Sequence, residues 1–311
     1  MSYYRPYRGL LVIDLVCAFI LSAITLILPL CVRYITGNVL EGNNPDALNQ
    51  VYTMGAVMLV LVVVHTLCNQ FVDYRGHLMG AQMESDMRSE LFDHYQKLSF
   101  SFYDDQRTGQ LMSRLTNDLF WLSELYHHGA EDIVISVLKF VGAFVILLTI
   151  NVRLTLIVFT FLPIMAGYAF YFNKRMNRAL SISKERIGDI NAQVEDTLSG
   201  IRVVKSFTNE EIEKKKFAYE NTRFVNSRGD GYKSEAYLDS GVKAFTQLIT
   251  TGVIIFGGAG IVNASLDLAD LVTYLLYIGV LIEPIQRAVN FTRLYQEGIT
   301  GFNRFMDILE V

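Results

Sequence analysis

Six apolar runs, set apart by polar stretches of very unequal length, organise the sequence. Residues 10–35, 51–71, 133–150, 154–172, 242–262 and 268–285 each come close to or exceed what a helix needs to cross a bilayer, about 20 residues for about 30 Å of hydrocarbon. Three connections are short: 37–50, Asn151-Val152-Arg153, and 263–267. Two are long, 73–130 and 173–237. The second run passes into Asp73, Arg75, Glu84, Asp86, Arg88 and Glu90 with no breaker beyond Gly76 and Gly80, so its helix is expected to outrun the apolar part. The stretch after residue 172 holds no proline up to 237. A fourth helix continuing to about Ser206 would cover roughly 50 residues and about 80 Å at 1.5 Å per residue. The pattern predicts an all-α membrane protein of six spans with long polar extensions. Tyr3-Tyr-Arg-Pro-Tyr-Arg8 suits the headgroup layer, where a ring has one wet side, and reads as an interfacial elbow at 3–8.

The polar joint at residues 195–216 lies far from any apolar run. Thr208 and Glu211 have capping-box spacing and Phe207 and Ile212 staple spacing, which predicts a short helix from Asn209. Glu210 with Lys214, and Glu211 with Lys215, form i, i+4 pairs on it. Such a turn, solvated on all sides, looks built to be held by another body. The region 99–118 has a similar make-up: a turn, then a second polar helix.

Composition narrows the function. The chain has 311 residues, 51% hydrophobic and 19% charged, with a mean hydropathy of +0.30, too apolar for an ordinary soluble domain of this size. A net charge of -4 disfavours nucleic acid, which calls for a basic surface. Cys17, Cys31 and Cys68 lie inside apolar runs without metal-ligand spacing and read as packed thiols. The first apolar run is too long for a signal peptide and contains Pro29, so it reads as a retained span. Lys and Arg crowd 173–237 and are absent from 37–50 and 263–267. The positive-inside rule therefore puts both long insertions and both termini in the cytoplasm. Plasma membrane is the expected location.

Ionisable groups at membrane depth must pair, face the bundle or snorkel. Asp14, His65, Lys139, Lys243, Glu283 and Arg287 are of this kind. Snorkelling is the expectation for Asp14, Lys139, Lys243 and Arg287, with Lys139, Lys243 and Glu283 as candidate cavity or buried-polar residues; Glu283 and Arg287 have the spacing to satisfy each other. Pro29, Pro163 and Pro284 kink their spans, and Gly252, Gly257, Gly258 and Gly260 give the fifth a smooth face for close packing. Neighbouring His127 and His128 point about 100° apart on a helix and no cysteine or carboxylate pattern joins them, so no metal site is read there. No catalytic or cofactor-binding residue is assigned either.

Two motifs carry a resemblance. Ser101-Phe-Tyr-Asp104, Thr108-Gly-Gln-Leu111-Met-Ser113-Arg114 and Asn117-Asp118 resemble the first intracellular loop of ATP-binding-cassette exporters. Ser199-Gly-Ile-Arg202-Val-Val-Lys205-Ser-Phe207 with Glu210-Glu211 resembles their second. The Arg-Pro-Tyr-Arg elbow, Pro284 and Gly298-Ile-Thr-Gly-Phe-Asn-Arg304-Phe fit as well, so the resemblance covers essentially the whole chain. It implies a type-1 exporter transmembrane domain over 1–300, half of a domain-swapped dimeric pore of like or related chains, with 301–311 starting a linker to a nucleotide-binding domain. It further implies that Phe102, Asp104, Thr108, Gly109, Leu111, Ser113, Arg114, Phe207, Thr208, Asn209, Glu210 and Glu211 couple the pore to such domains. No Walker motif is present, so ATP and Mg²⁺ are expected in partner domains and no ATP hydrolysis in this chain itself. A drug, lipid or peptide would suit the pore. The competing reading is a non-transporting membrane regulator whose prongs bind a cytosolic partner.

Overall fold

The computed structural model describes residues 3–41 and 45–311. Among them there is no β-strand, and six helices are long and apolar enough to cross a membrane. In chain order the elements are α1 (Arg8–Tyr34), α2 (Ala47–Phe71), α3 (His77–Tyr95), α4 (Phe100–Asp105), α5 (Thr108–Ser113), α6 (Leu119–Ile150), α7 (Val152–Ser199), α8 (Ile201–Ser206), α9 (Glu210–Val262) and α10 (Leu268–Leu309). Three π-helical turns, Ile35–Leu40, Val72–Gly76 and Arg114–Asp118, continue α1, join α2 to α3 and lead into α6. Pro29, Pro163 and Pro284 all lie inside helices.

The expected loop at 37–50 is shorter than its polarity suggested, because the π turn carries helical structure to Leu40 and α2 starts at Ala47; Gly42, Asn43 and Asn44 lie outside the described residues. Of the stretch 301–311 expected to start a linker, residues up to Leu309 lie in α10, with Phe305 1% and Ile308 2% exposed.

Contacts divide the chain into two compact units, Met1–Phe159 with Ile249–Val311, and Thr160–Leu248. In the first, α2 buries no residue and turns Leu59, Val60, Val63 and Leu67 outward, a surface that only lipid or another helix would tolerate. Helix α6 does the same every fourth residue, with Ile133, Val137, Val141 and Val145 exposed and Ile135, Lys139, Ala143 and Leu147 buried. Helices associate in lipid without a hydrophobic driving force, so small residues and polar ties decide their packing. A Cβ on Gly298 would lie 2.6 Å from Leu125, and one on Gly142 would collide with Leu26. Gly257 and Gly260 do meet Leu271 and Leu266, but nothing lies within 4 Å of Gly252 or Gly258, so half of the expected glycine face packs. Tyr277 donates to Leu26 O at 2.5 Å. Arg33 pairs with Asp270 at 2.7 Å, and Asp267 and Asp270 form the capping box that starts α10.

The polar end of this unit has a conventional core. Met79, Met83, Met87, Leu91 and Tyr95 recur every four residues on α3 and are all buried, and Met87, Leu91 and Tyr95 join Leu111, Leu119, Leu122, Phe305 and Ile308. The elbow packs against this core. Tyr3 donates to Glu90 and packs edge-on to Phe305. Tyr4 donates to Tyr126 O at 2.5 Å and Tyr7 to Asp86 at 2.7 Å. Burial pushes the Tyr4 hydroxyl up to about 12, which keeps it a donor.

The second unit is an antiparallel pair formed by the later part of α7 and the earlier part of α9. Tyr168 donates to Tyr237 O at 2.8 Å, and a Cβ on Gly241 would displace the Tyr168 ring. Further along, Ser183 meets Ser227 at 3.1 Å, Asp189 meets Arg223 at 3.6 Å, and Gln193 donates to Glu213 at 2.8 Å. The expected long fourth helix is present as α7, 48 residues or about 72 Å, but it breaks at Gly200 instead of running to Ser206.

Candidate functional site

Each polar extension ends in a turn, and the two turns are built differently. The first runs from Ser99 to Asp118. Leu111 is buried, Phe102 packs on the core around Leu91 and Phe305, and the Tyr103 hydroxyl donates to Tyr95 O. Arg304 reaches back from α10 to Asp118 at 3.3 Å. Gly301 sits against the same residue, where a Cβ would lie 2.5 Å from Asp118 O. Arg114, Ser113, Gln110, Asp118 and Arg304 line a polar cleft of about 220 Å³. Asp104, Thr108 and Gly109 are exposed. Phe102, one of the coupling residues expected from the resemblance, is half-buried against that core. Phe100 is the outward aromatic, 90% exposed. Sequence reasoning missed it, although its place two residues before Phe102 at the start of a one-turn helix is a readable signal.

The second turn lies in the other unit. Gly200 caps α8, and Phe207 closes it. Thr208 takes a left-handed φ of 55°, and Asn209 O then accepts from the N–H of Glu213. Asn209 therefore caps α9, whose first residue is Glu210, one later than the expected start at Asn209. The expected capping box fails because Thr208 is needed to reverse the chain. The short helix precedes the joint as α8, and the helix after it is 53 residues long. The ion pairs shift as well. Glu211 with Lys214 and Glu213 with Lys216, both at 2.7 Å, are i, i+3 pairs, and Glu210 meets Lys205 at 3.3 Å.

Glu213 locks the hairpin. It accepts from Lys216, Thr197 and Gln193 at 2.7–2.8 Å, and these donors, Lys216 foremost, hold its carboxyl below the usual carboxylate range. Behind this lock Val194, Leu198, Ile201, Val204 and Phe217 line an open apolar cavity of about 380 Å³. Phe207 is 71% and Ile212 52% exposed, so the expected staple does not cover them.

The membrane-depth groups divide. Lys139 does not snorkel; its side chain is buried and its Nζ lies 2.6 Å from Glu283 Oε2. Glu283 Oε1 accepts from Arg287 at 3.0 Å, as its spacing predicted, and Arg287 also pairs with Asp132. Lys243 pairs with Asp239 at 2.6 Å on an exposed face. Asp14 is buried.

These helices and turns match known proteins along nearly their whole length. Residues 11–285 match the ABC transporter transmembrane region. The chain is 37% identical over 309 residues to YwjA, an uncharacterized ABC transporter ATP-binding protein of Bacillus subtilis, covering 99% of this chain and 53% of that protein. YknV of the same bacterium, described in the same words, is 26% identical over 314 residues, 100% of this chain and 51% of YknV. An ATP-dependent lipid A-core flippase of Syntrophus aciditrophicus is 23% identical over 313 residues, 99% of this chain and 51% of the flippase. The chain spans about half the length of the curated relatives it matches. With six helices able to span and a family match that takes in most of its residues, this multi-pass membrane chain belongs to the ABC transporter transmembrane region family.

Proposed function

We propose that the chain forms half of the pore of an ATP-driven exporter and alternates between inward- and outward-open states as nucleotide-binding domains close on ATP. The observation that carries this reading is the Phe207 joint: an exposed aromatic and an apolar cavity at the far end of a polar helical hairpin, with nothing in the hairpin itself to cover them. An exposed ring beside a rigid helix start is the kind of anchor that fills a partner's pocket. Phe207, Thr208, Asn209, Glu210 and Glu211 dock on one nucleotide-binding domain. Asp104, Thr108, Gly109 and the other polar residues of the first turn contact such a domain too, with Phe100 in place of Phe102 as the aromatic contact and Phe102 and Leu111 shaping the turn from behind.

A stiff helix carries displacement over a distance that a loop would absorb, so the two long helices of the hairpin suit transmission. ATP and Mg²⁺ bind in the partner domains. A second transmembrane half completes the pore, both termini lie in the cytoplasm, and the membrane is the plasma membrane. The substrate is an amphipathic molecule such as a drug, lipid or peptide; the named flippase among the relatives favours a lipid. The test is ATP-coupled transport of a labelled lipid by the transporter reconstituted with its ATPase domains. Phe207→Ala should leave basal ATP hydrolysis in place and abolish its coupling to transport. Coupling retained in that variant and in Phe100→Ala would end the proposal.

A further inference from the structure

The polar groups that the exporter reading leaves unused gather where α1, the Val72–Gly76 turn, α3 and α6 meet. Asp14, His127 and Glu131 are 1%, 2% and 6% exposed. Asp14 Oδ1, both ring nitrogens of His127 and Glu131 Oε2 find no hydrogen-bond partner among the described residues. A neutral imidazole has one N–H to donate and one lone pair to fill, and burying both without partners forfeits their hydration. Buried polar groups are normally satisfied, so three such side chains from two helices, each offering one atom to the same point, call for something that binds them.

The spacing suits a metal ion. One ligand atom from each of Asp14, His127 and Glu131 lies within 4.8 Å of the others, and His77, His127 and His128 form a second such trio. His127 Nε2 and Glu131 Oε2 are 3.7 Å apart, near the roughly 3.4 Å edge of a tetrahedron whose ligands stand about 2.1 Å from a zinc ion. The backbone leaves the room: a Cβ on Gly76 would collide with His127 Cε1 and lie 3.0 Å from its Nδ1 and 3.1 Å from Asp14 Oδ1. The His77 ring lies edge-on to His127 with centroids 4.7 Å apart.

We propose that Asp14, His127 and Glu131 bind a divalent first-row transition ion, zinc being the natural probe. A mixed imidazole and carboxylate set favours such an ion over calcium or magnesium, which take oxygen ligands in larger number. The ion would tie α1 to α6 at the point where α2 gives way to α3. This assignment stands apart from the exporter reading, since none of its residues belongs to either turn.

The test uses the full-length protein without a histidine tag, purified in detergent, stripped with EDTA and returned to limiting zinc or cobalt. Expected are about one zinc per chain, visible cobalt absorption from a nitrogen and oxygen site, and a melting temperature that rises with zinc. His127→Gln, Glu131→Gln and Gly76→Ala should each weaken binding at least tenfold and remove the thermal shift. His94→Gln, which changes a histidine on α3 outside the cluster, should change neither. If His127→Gln does not fold, Asp14→Asn and Glu131→Gln decide the matter. Stoichiometric zinc that survives Asp14→Asn and Glu131→Gln overturns the assignment, and so does a wild-type protein that binds none. Binding lost only in His128→Asn would move the ion to the three histidines and overturn it too.

Discussion

The two polar turns solve the same architectural problem in opposite ways. The first is braced by its own chain: Phe102 and Leu111 rest on a core that includes Phe305 and Ile308 of α10, Arg304 holds Asp118, and the elbow tyrosines pack against the same end of the unit. The second has the Glu213 lock and little else, and it leaves Phe207, Ile212 and an apolar cavity open. A turn whose apolar groups are already covered can lose its outward contacts and keep its shape. One whose apolar groups stand open has its shape defined by a few polar ties and its apolar surface free for a partner.

This contrast can be broken most forcefully at α10. Phe305→Ala empties a fully buried site and should destabilise the braced end by about 3–5 kcal/mol, seen as a large fall in the melting temperature in detergent; a change within error would mean that the core is not what holds the first turn. Next comes Lys139→Met. Removing one member of a buried pair costs about 3–5 kcal/mol at the extreme, but Glu283 keeps Arg287 and is partly exposed, so about 1–2 kcal/mol is expected. Lys139→Met with Glu283→Gln should lose less than the two single changes together.

The Glu213 lock gives a smaller and local effect. A carboxyl held below its usual value of 4.5 stabilises the folded hairpin while ionised, so its contribution is complete above that pH and fades as acid takes the pH down through the depressed folded value. Protection factors of the amides at 193–197 and 210–216, which remove the intrinsic pH dependence of exchange, should therefore fall in acid in the wild type, and Glu213→Gln should show the lowered protection already at neutral pH and lose that part of the acid response. Smallest in stability is Phe207→Ala, expected within about 0.5 kcal/mol of wild type; a larger loss would show that the ring props its own hairpin.

Spans and extensions were readable because apolar runs of spanning length and polar stretches with few breakers leave little alternative to helix. The uninterrupted run without proline from 173 to 237 already implied a long α7, but a short helix was expected where the 53-residue α9 starts. Cap chemistry was ambiguous by one residue because Thr208 and Asn209 are both capable caps, and only the left-handed φ at Thr208 separates them. Phe100 and Phe102 could not be told apart until the core beneath Phe102 was known. The Asp14, His127 and Glu131 cluster was illegible for another reason: the two histidines beside each other in sequence drew attention, while the carboxylate on α1 comes from a distant part of the chain. Lys139 was misread as snorkelling because its partner, Glu283, sits on α10, and a pairing between helices leaves no trace in local spacing.

The π turn at Val72–Gly76 sets a phase. Ahead of it α2 buries no residue fully, and beyond it α3 presents one continuous methionine-rich stripe to the core. Such a turn absorbs a surplus residue without interrupting the rod, and a single residue amounts to about 100° of rotation. Shortening the chain by one position there would leave two sound helices but point Met87, Leu91 and Tyr95 away from Phe305, so the handover to packed protein depends on angular register rather than on length.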